Sequence, residues 1–405
     1  MKASKSVLLV VATLAMADFV FAQTWTQTGA PNSGWRLVAA SADASKLAAL
    51  VSQPNVIWVS TNKGINWTSN NVPGVPVAGR LESIAWSASG DKLVAVALFA
   101  SAIYTSTNYG ATWVSNGVPA EPWITVASSA DGTRLVAAGG GLIGSGPIYF
   151  SADSGLTWTQ ANAPITNWVS IASSASGNNW VAAVETQSPV GGSIYTSTNS
   201  GLDWTLTGAP NLQWISVASS MDGTKLAAAS GGGLIYTTTN SGATWVSNTV
   251  PQEAWFRIAS SADGRTLAAV SILGSAYNTG HIYTSTNFGR TWILSPVPDQ
   301  SWSGIVSSAD GTTLVAAGRT SFGSSSGGIY ISPTVRPPEL NVTLVQNDLA
   351  LSWMIPSTNF VLQQSADLLS WANVTNPPVV NLTNLQNQVT LPPSGGSGFY
   401  RLKTP

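Results

Sequence analysis

Apolar residues in this chain come in short runs cut by Gly, Asn, Asp or Ser, and the same order of runs returns many times. One run reads Trp35-x-x-Val38-Ala-Ala-Ser-Ala-Asp43, the next Leu81-x-x-Ile84-Ala-Trp-Ser-Ala-Ser-Gly90, the next Trp123-x-x-Val126-Ala-Ser-Ser-Ala-Asp-Gly132. Four further copies start at Trp168, Trp214, Trp255 and Trp302, which makes seven. Most copies end in Asp-Gly or Ser-Gly and lead into Leu-Ala-Ala or Leu-Val-Ala. Runs this short, rich in aromatic and β-branched residues and bounded by turn formers, predict strands. Each unit therefore reads as strand a (Trp-x-x-Ile-Ala-Ser-Ser), an Asp-Gly hairpin, strand b (Lys-Leu-Ala-Ala-Ala) and a Gly-rich loop. Strand c (Ile-Tyr-Thr-Ser) follows, then a tight turn and strand d at Thr-Trp.

The tight turn is itself a repeat. It reads Ser60-Thr-Asn62-Lys-Gly64-Ile-Asn-Trp67, Ser106-Thr-Asn108-Tyr-Gly110-Ala-Thr-Trp113 and Ser151-Ala-Asp153-Ser-Gly155-Leu-Thr-Trp158. It continues through Asn199 to Trp204, Asn240 to Trp245 and Asn287 to Trp292. Successive tryptophans of this turn stand 46, 45, 46, 41 and 47 residues apart. Such a period indicates a ring or stack of four-stranded units. The pattern resembles the Asp-box, or BNR repeat, Ser-x-Asp-x-Gly-x-Thr-Trp. That resemblance implies a structural role for Asn62, Asn108, Asp153, Asn199, Asn240 and Asn287. Their side chains are expected to accept backbone N–H groups while the Gly takes a positive φ. Only Asp153 keeps the acid, and Asn makes the same turn bonds.

The seventh unit stops after strand c, at Gly328-Ile-Tyr330-Ile-Ser332-Pro333. The strand it lacks stands at the other end of the chain, where Gln23-Thr-Trp25-Thr-Gln-Thr-Gly-Ala-Pro31 matches Asp203-Trp204-Thr-Leu-Thr-Gly-Ala-Pro210. An N-terminal strand that completes the last blade would close the ring and remove its exposed edges. The expected fold is all-β, a seven-bladed β-propeller over residues 23–335. Residues 1–22 read as a cleaved export signal, with Lys2 and Lys5 before the apolar run Val7 to Ala17 and small residues before Gln23. A secreted, cell-surface or periplasmic location follows. No later run is long and apolar enough to act as an integral membrane segment. A composition break at Arg336-Pro337-Pro338 opens residues 336–405, whose alternating apolar runs end in Phe399-Tyr-Arg-Leu402 and predict a small C-terminal β-sandwich-like module.

Composition narrows the chemistry. Of 405 residues 38 are Gly and 18 Trp, only 8% are charged, and the formal net charge is −1. Nucleic acid and anionic membranes are therefore not expected partners. Zero cysteines exclude disulfides and thiolate metal sites, and one histidine, His281, makes no His-based metal site alone. No metal, no cofactor and a monomeric state are expected.

A propeller carries its ligands where loops break the repeat. The d–a and b–c loops share one face, and the box turns lie on the other. Six d–a loops share Pro-x-x-x-Trp, which places Trp35, Trp123, Trp168, Trp214, Trp255 and Trp302 at equivalent positions with Leu81 in the seventh. Exposed, these rings would stack on sugars or grip peptide side chains; buried, they would wedge between blades. Their regular recurrence favours the wedge, because functional residues break a repeat's symmetry. Symmetry is broken by Arg36, Arg80, Glu82, Glu121, Glu253 and Arg257 near the starts of strand a, and by Glu185, His281 and Arg319 in the b–c loops. If the loops converge, an Arg–Glu cluster there suits an anionic or hydroxyl-rich ligand.

Asp-box propellers include sialidases and glucan-cleaving hydrolases, so an enzyme is the alternative. Trp255-Phe256-Arg257-Ile258 resembles the sialidase Phe-Arg-Ile-Pro signature but lacks the Pro and is this repeat's Trp-x-x-Ile. Asp131, Asp222, Asp263 and Asp310 share the Asp-Gly hairpin, a turn role. A hydrolytic pair would have to come from Glu82, Glu121, Glu185 and Glu253. The whole ring is similar to non-catalytic propellers of this class, the photosystem II assembly factors and sortilin-type receptors, which present loops to a peptide or protein. The sequence thus reads as a binding or scaffold propeller that meets a glycan or an extracellular protein on its d–a and b–c loop face, with a glycoside hydrolase as the alternative.

Overall fold

The computed structural model describes residues 24–403, apart from 52–55, 76–78, 99–101, 120, 141–143, 186–190, 273–279, 299, 322–323, 334–339, 346–347, 355–360, 368 and 392–397. The expected export signal, residues 1–22, and the break at 336–338 lie outside the described residues. No helix is present among the rest, and seven four-stranded antiparallel sheets follow one another along the chain. In the first blade strand a is Trp35–Ala40, strand b Leu47–Val51, strand c Val56–Ser60 and strand d Thr68–Asn71. Strand b is buried on both faces in every blade, which is why it reads as an unbroken apolar run and not as an alternation.

The seventh blade is assembled from both ends of the chain. The N-terminal strand Thr26–Gln27 pairs with strand c, Gly327–Pro333, placing Thr26 opposite Ile331 and Gln27 opposite Tyr330. Closure is completed by a ring of backbone bonds just past strand a. Ala42 donates to Ala88, Ala88 to Ala130, Ala130 to Ala175, Ala175 to Met221, Met221 to Ala262, Ala262 to Ala309, and Ala309 back to Ala42, at 2.6–3.0 Å. Each link joins neighbouring blades, so every blade has two partners and no sheet face is left open. Side chains add to these links. Lys46 donates to the Ser89 carbonyl, Lys92 to that of Asp131, Arg134 to that of Ser176, and Asn179 to that of Asp222.

The repeated turns are built by their own side chains. Asn199 Oδ1 accepts the Asp203 N–H at 3.0 Å, Ser197 Oγ accepts the Gly201 N–H at 3.1 Å, and Trp204 returns its indole N–H to the Gly201 carbonyl at 2.9 Å. The Asn62, Asn108, Asp153, Asn240 and Asn287 turns accept the same backbone bond at 2.9–3.0 Å. Two residues per turn have positive φ, as type I′ geometry requires, where the sequence indicated only the Gly. The second is the residue before it: Lys63, Tyr109, Ser154, Ser200, Ser241 and Phe288, at φ of 57–65°. Ser200→Gly should therefore be neutral or stabilising by up to about 1 kcal/mol. Gly201→Ala should instead cost about 1–3 kcal/mol, because φ is +90° there and a new Cβ would stand 2.9 Å from Val136 Cγ2. Urea midpoints of the two variants give the comparison.

Beyond the ring, two sheets face each other. One holds Asn341–Val345, Asp348–Met354, Gln386–Leu391 and Val379–Asn381, the other Ala372–Asn373, Val361–Ser365 and Phe399–Lys403. Leu351, Trp353, Leu362, Val389 and Leu391 fill the space between them. This small sandwich rests on the ring: Leu385, with Leu382 and Met354, packs into the collar of Ala130, Ala175, Ala262 and Ala309.

Candidate binding site at the channel mouth

The seven strands a contact one another in sequence, with the seventh against the first, and so line the axis. Each enters from its d–a loop and ends at the alanine collar. A register shift follows the Trp of every strand a, and of Leu81 in the second blade. The extra residue of such a bulge re-aims the next side chains. Arg36, Glu82 and Arg257 all stand at this bulge, the entrance end of the channel.

Four arginines collect there. Glu82 accepts from Arg36 Nη2 at 2.7 Å and from Arg80 Nε, and its own side chain is only 8% exposed. Arg80 and Glu82 are two residues apart on one strand and so share a face. Arg319 closes strand b of the seventh blade and donates from Nε to the Trp35 carbonyl at 2.8 Å, which brings it beside Arg36. Arg257 donates to the Phe256 carbonyl at 3.0 Å and lies over the Phe256 ring, 4.4 Å from its centre. The candidates Arg36, Arg80, Glu82 and Arg257 thus come together, joined by Arg319.

The cluster is electrostatically strained. Burial, then the like charge of Arg36, holds the Arg257 guanidinium down to about 10 against 12.5 when free, and Glu82 recovers only part of the loss. Burial, Arg36 and Arg80 likewise lower Arg319. Between pH 10 and 12.5 the unfolded chain holds a proton that folded Arg257 has released. Its cost to the fold is therefore full at neutral pH and is relieved as pH rises through that window. Arg257→Met should stabilise the fold by about 1–2 kcal/mol at pH 8, and this advantage should shrink as pH approaches 12. Tyr283 acts in the opposite sense. Burial and then Glu253 push its phenol up to about 12, so its contribution is full below pH 10 and lost through 12. Comparing the melting curves of Arg257→Met and the parent chain separates the two groups.

The six loop tryptophans belong elsewhere. Trp35, Trp123, Trp168, Trp214 and Trp302 are 0% exposed and Trp255 2%. Each packs between its own blade and the preceding one: Trp168 lies with Ala138 and Ile148 of the third blade and Ile171 and Ala182 of the fourth. Tyrosines of strand c meet five of these rings edge-on at 5.4–5.6 Å. As ligand-stacking residues they are corrected to inter-blade wedges, because a ring without exposed surface has no face to offer.

Glu253 and Glu185 are separately engaged. Glu253 accepts from Ser271 and from Tyr283 at 3.0 Å, and lies 2.7 Å from His281 Nδ1. Glu185 accepts from Gln213 at 3.0 Å. A Tyr–Glu contact does occur at Tyr283, but a phenol raised to about 12 and packed on Trp255 is a poor nucleophile at neutral pH. Burial would raise Asp131 and Asp222, yet bonds from Ser129 and Thr133, and from Ser220 and Thr224, hold both low, which suits a turn and not a general acid. Among the described residues no three His, Asp or Glu side chains gather as a metal-holding group.

Sequence reasoning missed the other end of the channel. There a cavity of about 190 Å3 is lined by Ser128, Ser173, Ser219, Ser260 and Ser307, with Ala40 and Trp86 in the same position of their strands and Leu385 beneath. The bulge and this serine ring are four residues apart, roughly 13 Å along a strand. Trp86 could have been found, since it stands where sister strands carry Ser or Ala. Leu385 belongs to no repeat and had no signal.

No family model matches the chain, and no curated protein matches it. Solved structures do. YCF48 from Cyanidioschyzon merolae is similar at 15% identity and a TM-score of 0.57, covering 76% of this chain and 98% of that one. YCF48 bound to D1 peptide matches at 15% identity and 0.57, over 81% and 100%. An ancestral GH74 enzyme matches at 15% identity and 0.53, over 82% of this chain and 54% of that one. At these identities the likeness shows the propeller fold alone. No helix among the described residues is long and apolar enough to cross a membrane.

Proposed function

We propose that this chain is a non-catalytic binding or scaffold propeller of the Asp-box class, with its ring in residues 23–335 and its module in 336–405. It is exported and monomeric, and meets an extracellular protein or glycan on its d–a and b–c loop face. One observation carries this reading: side chains that break the repeat, Arg36, Arg80, Glu82, Arg257 and Arg319, converge on the channel mouth. The box turns, by contrast, are consumed in their own hydrogen bonds. A propeller neighbour bound to a peptide supports a protein as partner. Glu82, Glu185 and Glu253 sit in three separate bonding networks, which favours binding over hydrolysis.

A glycan array run beside a panel of chromogenic glycosides tests the reading. Binding without turnover, lost in Arg257→Met and retained in Ser200→Gly, is the expected result. Turnover of any glycoside, abolished by Gln at Glu82, Glu121, Glu185 or Glu253, would replace it with a hydrolase.

A further inference from the structure

Four guanidiniums and one carboxylate meet at the channel mouth. Glu82 takes Arg36 and Arg80, and among the described residues Arg257 and Arg319 have only backbone carbonyls as hydrogen-bond partners. Counted over these five side chains alone, the cluster carries three surplus positive charges. Resting on the binding reading above, we infer that the mouth takes the carboxylate of an acidic peptide segment, and that Glu82 is a built-in competitor for it.

Four considerations select this ligand. A guanidinium offers paired, coplanar donors that match a carboxylate, and the bonds strengthen where water is scarce. Phe256 already covers one face of Arg257 and restricts its motion, which lowers the entropy lost when an anion binds. Glu82 stays in place when the ligand arrives, so each added negative charge is repelled, and a monoanion suffers less than a dianionic phosphate. A peptide is favoured over an acidic sugar because the tryptophans of this face are buried and give a pyranose ring no platform.

Glu82 sets the affinity. With it present, an incoming carboxylate shares Arg36 and works mainly through Arg257 and Arg319. With it neutralised, all four arginines are available.

The test is calorimetric titration of the purified protein at low salt with hexaglutamate, hexaglutamine, an oligogalacturonate and sodium sulfate. Hexaglutamate is expected to bind about 100-fold more tightly than hexaglutamine, and Arg257→Met or Arg319→Met to weaken it about tenfold each. Glu82→Gln is expected to tighten it about tenfold. Arg257→Met should fold at least as well as the parent, so its loss of binding cannot be ascribed to unfolding. Equal affinity for hexaglutamine, insensitivity to both arginine variants, or weakening by Glu82→Gln would overturn the inference, as would tighter binding of oligogalacturonate or sulfate. If array ligands bind this face regardless of the arginine variants, the carboxylate inference falls while the propeller reading stands. Glycoside turnover removes the reading itself.

Discussion

Trp168→Ala is expected to cost about 3–5 kcal/mol of folding free energy, the range for deleting a large ring from a closed core. Trp168 has no exposed surface, its ring meets Tyr195 at 5.4 Å and Trp204 at 6.2 Å, and it bridges two blades. Neither blade can close the void alone, since their strands are fixed by the collar of inter-blade bonds. The urea midpoint should fall sharply, while the molecules still folded keep their ligand affinity. A variant with normal stability and abolished binding would return the tryptophans to the ligand face.

Removal of residues 24–31 is expected to have the other large effect. It deletes the pairing of Thr26 and Gln27 with Ile331 and Tyr330, the Thr28 N–H bond to the Ile329 carbonyl at 2.8 Å, and the contact of Trp25 with Trp302. It also deletes the Gly29 N–H bond to the Gly64 carbonyl, a tie to the first blade. Strand c of the seventh blade then becomes a free, largely buried-type edge, which recruits other chains. Light scattering after size exclusion should show association, and urea unfolding should lose its single cooperative transition. A monomer with the parent midpoint would show that closure does not depend on this strand.

Much of the architecture is written locally, and the reason is repetition. Seven copies of one strand-turn grammar, and a displaced Trp25 segment, specify blade number and closure without any long-range information. The turns were legible for the same reason, although the positive φ at Ser200 and its equivalents was not, because only Gly announces that conformation. The site was half legible. Arg36, Arg80, Glu82 and Arg257 stood out as breaks in symmetry, but Arg36 and Arg319 are neighbours only because the ring brings the seventh blade against the first. Burial was ambiguous in the sequence: a tryptophan at every blade is equally regular whether it wedges or binds, and only packing shows that it wedges. The seat of Leu385 in the alanine collar depends on contacts between two different kinds of unit, which no repeat encodes.

The most direct test of the channel mouth as the binding site is anomalous diffraction from crystals of the protein soaked in 4-bromobenzoate, a monocarboxylate whose bromine gives a strong signal. An ordered anion is expected between Arg257, Arg319 and Arg36, with loss of that peak in Arg257→Met crystals. 4-Bromobenzoate found only on the box-turn face or on outer lysines, with the mouth empty at the same concentration, would contradict the carboxylate site.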